Sequence, residues 1–390
     1  MEISAATRAR LDGVKDGLDR NNLVDFAIVQ RELEIPEPRP QAVPHLWKWD
    51  AVKPWLAQTY EGVSLEEVHR RTLAFRNPGL NGRPFAATSL FMSISMYFPG
   101  DEAGVHRHMA SASRFLLEGT GGFTTVGGEK CVLERGDLVI TPNGQWHDHG
   151  NDGDEPIVWV NVLDIPMTEF FNAVMTEWDY YETDAASNSG EPIKKKMQTI
   201  SAPRDYSRLL FGSGGIVPRF GPERRGEGAH SPMFLYKWED TATTLRALRD
   251  EAGSPFDGIL VEYTDPLTGA SVVPTLSFNA QLLRPGEETR THRHTASAIY
   301  CVLEGEGYTE VDGKRLDWAE NDLFVVPGWS WHRHVNTRSG KDAVLYTVTD
   351  RPAQEKLGYY REQERRSDGD VAEVVAWPGF DPERQASAGT

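Results

Sequence analysis

The tripeptide His106-Arg107-His108 recurs as His292-Arg293-His294. Residues two apart on a strand project to the same side, so each pair can offer two imidazoles to one point. A third histidine follows in each copy, His147 lying 41 residues after His106 and His332 lying 40 after His292. An isolated His-x-His is more often packed or solvated than metal-bound. Recurrence of the whole three-histidine pattern at matched spacing instead favours a divalent metal. His149 shares the parity of His147, which leaves two candidates for the third ligand in the first copy.

The elements that must position these residues repeat as well. The stretch beginning at His106 aligns with the one beginning at His292 over its whole length with a single gap, so the chain carries two copies of one domain. In the first copy, SLFMSISMYF, RFLLE, FTTV, DLVITP and IVWVNVLDI are short apolar or alternating runs separated by Gly, Asn, Asp and Pro. Many short strands at regular intervals predict a barrel or sandwich. Before them, residues 4–34 carry apolar side chains at mostly helical spacing, interrupted at Asn21-Asn22. The proline-rich IPEPRPQAVP follows, and Trp47 and Trp49 lead to SLEEVHRRTLAF, expected to be helical behind a capping box at Ser64 and Glu67. Helices are also expected at MTEFFNAVMTEW and DTATTLRALRDEAG. The resulting division is a helical arm and lead-in over 1–85, a first strand-rich domain over 86–178 and a connection with one helix over 179–257. A second strand-rich domain over 258–350 and a charged tail over 351–390 complete it, the last residues reading as disordered.

Bulk composition bounds the function. With 41 Lys and Arg against 58 Asp and Glu, the chain has a net charge of -17 and repels nucleic acid phosphates and anionic membranes. An anionic substrate would need local arginines or a metal. Cys131 and Cys301, the only cysteines, are too few for a disulfide framework and read as packed thiols in a reducing compartment. No window approaches the roughly 18 apolar residues of a membrane span, so a soluble cytoplasmic protein is expected.

Both halves resemble cupin domains. In the first, Gly100, His106, His108, Gly119, Gly136, Pro142, Gly144, His147 and Asn151 match the two cupin motifs, while Ala112 takes the glutamate position. In the second, Gly286, His292, His294, Gly305, Pro327, His332 and Asn336 match, Ala298 again replaces glutamate, and Asn321 and Trp329 replace glycines. The resemblance implies a mainly β bicupin: two antiparallel β-barrels (double-stranded β-helices) with an N-terminal helical arm. Without the glutamate, three neutral imidazoles leave a divalent ion its full charge and open positions for an anionic chelating ligand and dioxygen.

A narrower resemblance spans nearly the whole chain. HRRTLAFRNPGL, HRHMASASRFLLEGTG, GDLVITPNGQWHDHGN, SPMFLYKWEDTATTLRAL and QLLRPGEETRTHRHT are similar to the gentisate 1,2-dioxygenase family, with its salicylate and 1-hydroxy-2-naphthoate relatives. The family implies an Fe(II)-dependent enzyme that uses dioxygen to cleave a ring between a carboxylated carbon and its hydroxylated neighbour. Gentisate, giving maleylpyruvate, is the leading substrate. Salicylate, a substituted salicylate such as the 5-nitro compound, and 1-hydroxy-2-naphthoate are the alternatives. A non-catalytic metal-binding bicupin is the reading from a different class.

Carried over position by position, the resemblance makes His106, His108 and His147 the iron ligands. It puts His149 beside the metal for hydrogen bonding or proton transfer, and makes Arg114 a carboxylate or oxygen ligand. Arg70 and Arg71 match a family pair that assists anion binding, though a solvated helix face suits them equally. Phe91, Ser93 and Asn161 stand where the family lines its pocket, and depart from its Leu-Trp-Ala-Gly-Ile-Gln and Trp-Leu-Asp-Gly-Leu-Asp patterns. The ring substituent recognised here is therefore expected to differ from the 5-hydroxyl of gentisate. In the second copy Tyr300 stands in place of the arginine, and with the loop glycines gone that site is expected to be structural or weakly active. The family also implies a homo-oligomer, usually a tetramer.

Overall fold

The structure, a computed structural model, describes residues 4–183, 191–214, 216 and 229–376. Met1–Arg39 and Pro40–Thr390 form separate compact units. The first contains helices Ala5–Arg20 and Phe26–Leu33, capped by the side chains of Ser4 and Asp25. They break at the expected Asn21-Asn22, where Asn22 takes a left-handed φ of 55°.

The second unit holds two antiparallel barrels, each made of two facing sheets. In the first barrel one sheet runs Leu138–Thr141, Ala112–Glu118, Ile157–Leu163, Phe91–Tyr97, Thr72–Ala74. The other contains Glu102–His108, His147–Asn151, Gly122–Val126 and Glu129–Leu133. Strand parity then decides what each side chain meets. Asn161 is paired with Ser93 on one side and Arg114 on the other, so the three share a row on one face. The intervening Met92, Ile94, Phe115 and Val160 point the other way, into an apolar core shared with Phe278, Cys301, Val325 and Tyr346 of the second barrel. At its centre Phe115 stacks on Tyr346 with ring centroids 4.0 Å apart. Both thiols are free and buried.

The barrels also exchange strands. His45–Trp47, ahead of the first barrel, pairs with Leu323–Val326 of the second, and Leu235–Tyr236, ahead of the second, pairs with Leu138–Thr141 of the first. Each added strand runs into a helix, Trp49–Tyr60 or Trp238–Leu248. Each helix start is held by one carboxylate of the barrel it has joined: Lys48 and the Trp49 amide bind Asp322, and Lys237 and the Trp238 amide bind Asp137. The repeated LWKWD and LYKWED segments carry this symmetry in the sequence.

Several expected elements differ. SLEEVHRRTLAF makes only the turn Leu65–Val68, capped as expected through Ser64 and Glu67, before His69 turns left-handed at φ 57°. Thr72–Ala74 then joins the sheet, because its pairing to Ser93–Ser95 satisfies more backbone than another helical turn would. MTEFFNAVMTEW likewise forms helix only as part of Ile165–Phe170. Asn172 at φ 54° ends it, and Thr176–Glu177 pairs with His108 and Arg107. The helix Trp49–Tyr60 escaped notice because Pro54 lies inside it. The connection is more ordered than its polarity suggests, with the hairpin Tyr181–Thr183/Pro192–Lys194 and the helix Tyr206–Phe211. The charged tail is structured as far as Val375: Glu362–Arg365 pairs with His292–His294 and adds the hairpin partner Val371–Val375. The ERQASAGT end lies outside the described residues.

Because Phe115 belongs to the shared core, F115A should cost about 3–5 kcal/mol in equilibrium denaturation. The loss should appear in a single transition reported by both barrels; two separated transitions in the wild type would contradict the shared core.

Candidate metal centre and its pocket

His106 and His108 come from the strand Glu102–His108, and His147 and His149 from His147–Asn151, which pairs with it at His106 and His147. All four are at least nine-tenths buried. Three of their Nδ1 atoms meet backbone carbonyls: His106 with Gly104 at 2.9 Å, His108 with Ala110 at 2.7 Å and His147 with Gln145 at 2.8 Å. A carbonyl only accepts, so Nδ1 carries the proton and Nε2 keeps a lone pair. Nε2 of His108, His147 and His149 has no hydrogen-bond partner. His149 differs in one respect: its Nδ1 meets the Thr124 hydroxyl at 3.0 Å, which can donate or accept, so its tautomer is not fixed.

The ligand atoms of His106, His147 and His149 lie within 4.8 Å of one another. The His108 ring is 4.8 Å from that of His147 and 5.7 Å from that of His106, no farther than the His149 ring at 5.2 Å and 5.7 Å. Two triads therefore share His106 and His147. In donor chemistry the site fits a divalent metal, since the buried Nε2 lone pairs of His108, His147 and His149 meet no hydrogen-bond donor among the described residues.

Burial sets the charge state. It drives the His106, His147 and His149 imidazoliums well below the usual histidine range, and it brings His108 to about 4, with Arg114 and Arg70 adding repulsion.

Arg114 is buried, and its Nη1 donates to the Thr141 hydroxyl at 2.7 Å. Arg70 reaches His106 Nε2 and lies 5.7 Å from the Trp178 ring. Among the described residues no carboxylate pairs with either guanidinium. Burial, and for Arg114 the charge of Arg70, disfavours both cations. An anion entering here would relieve both. Arg71 points elsewhere: it is bound to Asp101 and the Val63 carbonyl, so it anchors the start of its strand rather than facing the histidines. Ser93 and Asn161 are joined directly, Asn161 Nδ2 donating to Ser93 Oγ at 3.2 Å and Ser95 Oγ at 2.9 Å. Phe91 sits at the end of that strand, packed against two small apolar clusters with Ile165.

Sequence reasoning missed Trp178, whose ring stacks on His106 at 4.9 Å. It had been assigned to the end of a helix, and only the strand pairing of Thr176–Glu177 carries it to the histidines. Trp159, 5.9 Å from His149, was likewise unassigned.

Comparison with known proteins agrees with this architecture. The cupin domain family matches twice, at residues 93–163 and 280–349. The chain is 35% identical over 346 residues to gentisate 1,2 dioxygenase 1 of Aquipseudomonas alcaligenes, covering 88% of this chain and 94% of that protein. It is also 35% identical over 359 residues to 5-aminosalicylate 1,2-dioxygenase of Comamonas sp, covering 90% of each. The crystal structure of salicylate 1,2-dioxygenase from Pseudoaminobacter salicylatoxidans with gentisate superposes with a TM-score of 0.80 at 27% identity, over 93% of this chain and 95% of that one.

The buried imidazoles make stability depend on pH. In the unfolded chain His108 titrates near about 6.5, whereas in the fold it does so at about 4. Its contribution is complete above the higher value and is lost as pH falls toward the lower one, where the unfolded chain takes up the extra proton. The metal-free protein should hold its melting temperature at neutral pH and lose it steadily on acidification through that window, less steeply in H108Q. A flat profile would contradict the burial of neutral imidazoles. In fold, internal repeat and sequence relationship, the chain belongs to the gentisate 1,2-dioxygenase family of bicupin dioxygenases.

Proposed function

We propose that the chain is an Fe(II)-dependent, ring-cleaving dioxygenase working in its first barrel on an aromatic carboxylate with an ortho hydroxyl. His106, His108 and His147 are its metal ligands. The observation that carries this reading is the meeting of neutral imidazole lone pairs with two guanidiniums that have no carboxylate partner among the described residues. His108 is preferred to His149 as the third ligand because a carbonyl fixes its tautomer, whereas the Thr124 hydroxyl leaves that of His149 free. The second barrel supports the same choice, since there the equivalent His292, His294 and His332 are the grouped set.

When bound, iron(II) supplies a Lewis-acidic, redox-active centre at which ring and dioxygen can exchange electron density. Arg114 and Arg70 bind and orient the substrate carboxylate. His149 takes the proton of the ortho hydroxyl, its mobile tautomer relayed by Thr124. The buried walls exclude water, so these charges act at low dielectric. Both atoms of dioxygen enter the product, which for gentisate is maleylpyruvate.

The Ser93, Ser95 and Asn161 row recognises the far side of the ring. An amide with two hydroxyls is neutral, which supports a second reading: salicylate or a 5-substituted salicylate carrying an amino or nitro group, the first being the substrate named for the Comamonas relative. In the cell the protein works as a cytoplasmic homo-oligomer, a tetramer on the family pattern. The exposed Phe170, Phe171 and Val174 support this as an apolar surface for a neighbouring copy.

Oxygen uptake with gentisate, salicylate, its 5-amino and 5-nitro derivatives and 1-hydroxy-2-naphthoate tests the substrate. H106A should lose metal and activity together, and R114A should lose on the order of 100-fold or more in kcat/KM. H149A should keep its iron and lose kcat. Full activity in iron-loaded H106A would sink the proposal, and iron loss in H149A with retention in H108A would reassign the third ligand.

A further inference from the structure

The second barrel keeps its turns at the two positions where the motif's glycines are replaced. Asn321 and Trp329, which replace loop glycines, still adopt left-handed φ values of 69° and 61°, so both turns keep their shape. For a tryptophan this costs on the order of 1–2 kcal/mol. Its ring lies 4.1 Å from the Arg293 guanidinium, a contact that helps hold the turn. The Trp329 amide also donates to the His294 carbonyl at 2.6 Å, tying the loop to the histidine strand.

The ligand atoms of His292, His294 and His332 lie within 4.8 Å of one another. Nε2 of His292 and His332 is buried without a partner. His294 and His332 give Nδ1 to the carbonyls of Ala296 at 2.8 Å and Ser330 at 2.9 Å. His292 is held differently from its counterpart His106: its Nδ1 meets the carboxylate of Glu362 at 3.2 Å, and the Tyr360 hydroxyl secures that carboxylate at 2.8 Å. Glu362 belongs to the tail strand paired with His292–His294. The tail thus supplies a carboxylate–histidine pair of the kind that orients metal ligands and raises their basicity.

Beside the histidines lies a cavity of about 380 Å³, bordered by Tyr300, Gln281, Asn279 and Thr347. Its wall carries the carboxylates of Asp257, Glu262, Glu355 and Glu362 against one guanidinium, Arg351, which is bonded to Glu355 at 2.7 Å. Where the first barrel has Arg114, this one has Tyr300 stacked on Phe324 at 4.6 Å. A carboxylate ligand would meet net negative charge here, whereas a small neutral ring with a hydroxyl carries no charge against those carboxylates and would find hydrogen-bonding partners in Asn279, Gln281 and Thr347.

We infer that the second barrel is a separate divalent-metal centre, held by His292, His294 and His332, positioned by Glu362 from the tail, and open to a small neutral phenol rather than to an aromatic carboxylate. This does not depend on what the first barrel binds. Protein freed of metal, reloaded with excess Co(II) and desalted, is assayed for metal per chain. Wild type should hold two equivalents, H106A one and H292A one, with H332A as a second variant should H292A fail to fold. A single equivalent in wild type that survives in H292A or H332A overturns the centre. In an H106A background, E362A should weaken Co(II) binding about 10–100-fold, with E362Q, which keeps an acceptor, intermediate; unchanged affinity in E362A overturns the tail's role. The visible Co(II) spectrum of H106A should shift with phenol and not with benzoate, and the opposite order overturns the ligand class.

Discussion

A buried imidazole that has already given its Nδ1 proton to a backbone carbonyl is left with one unsatisfied lone pair and no water to solvate it. The first barrel gathers such groups in His108 and His147, fixed by the Ala110 and Gln145 carbonyls, beside His106, whose Nδ1 meets the Gly104 carbonyl and whose Nε2 is reached by Arg70. Leaving acceptors unpaired in a core costs stability, so the arrangement makes sense only if something electrophilic completes it. Nearby, Arg114 and Arg70 pose the converse problem: positive charge in a poorly solvated place, awaiting an anion. A divalent metal would complete the first and an anion would relieve the second.

The rest of the second unit holds that point still. The sheet that carries Arg114 and Asn161 buries its other face against the second barrel, so movement of the pocket wall would disturb the Phe115–Tyr346 stack. Exchange of the strands His45–Trp47 and Leu235–Tyr236, each tied down by Asp322 or Asp137, makes each barrel depend on chain that precedes the other. Duplication has thus produced one interlocked body with two differently furnished interiors. One is lined by guanidiniums with no carboxylate partner among the described residues; the other is lined by carboxylates and a tyrosine.

The duplicated histidines, the alternation of the strands and the arm's break at Asn21-Asn22 were legible because period and spacing are local properties of a chain. Family resemblance picked out Ser93, Asn161 and Arg114, and strand pairing places the three in one row. Arg71 was misread because its partner, Asp101, is 30 residues away and nothing local announces the pair. Trp178 and Glu362 escaped for the same reason: short strands, Thr176–Glu177 and Glu362–Arg365, bring them to the histidines by pairing that no local pattern encodes. The left-handed turn at Trp329 was not legible either, because tertiary contacts rather than a local glycine maintain it.

The most direct measurement is the electron density of the Fe(II)-loaded protein with an ortho-hydroxy aromatic carboxylate under anaerobic conditions. The account predicts metal about 2.1 Å from Nε2 of His106, His108 and His147, with the substrate carboxylate and hydroxyl on that metal and the carboxylate reached by Arg114. Metal held by His149 in place of His108, or a substrate bound away from Arg114, would contradict it.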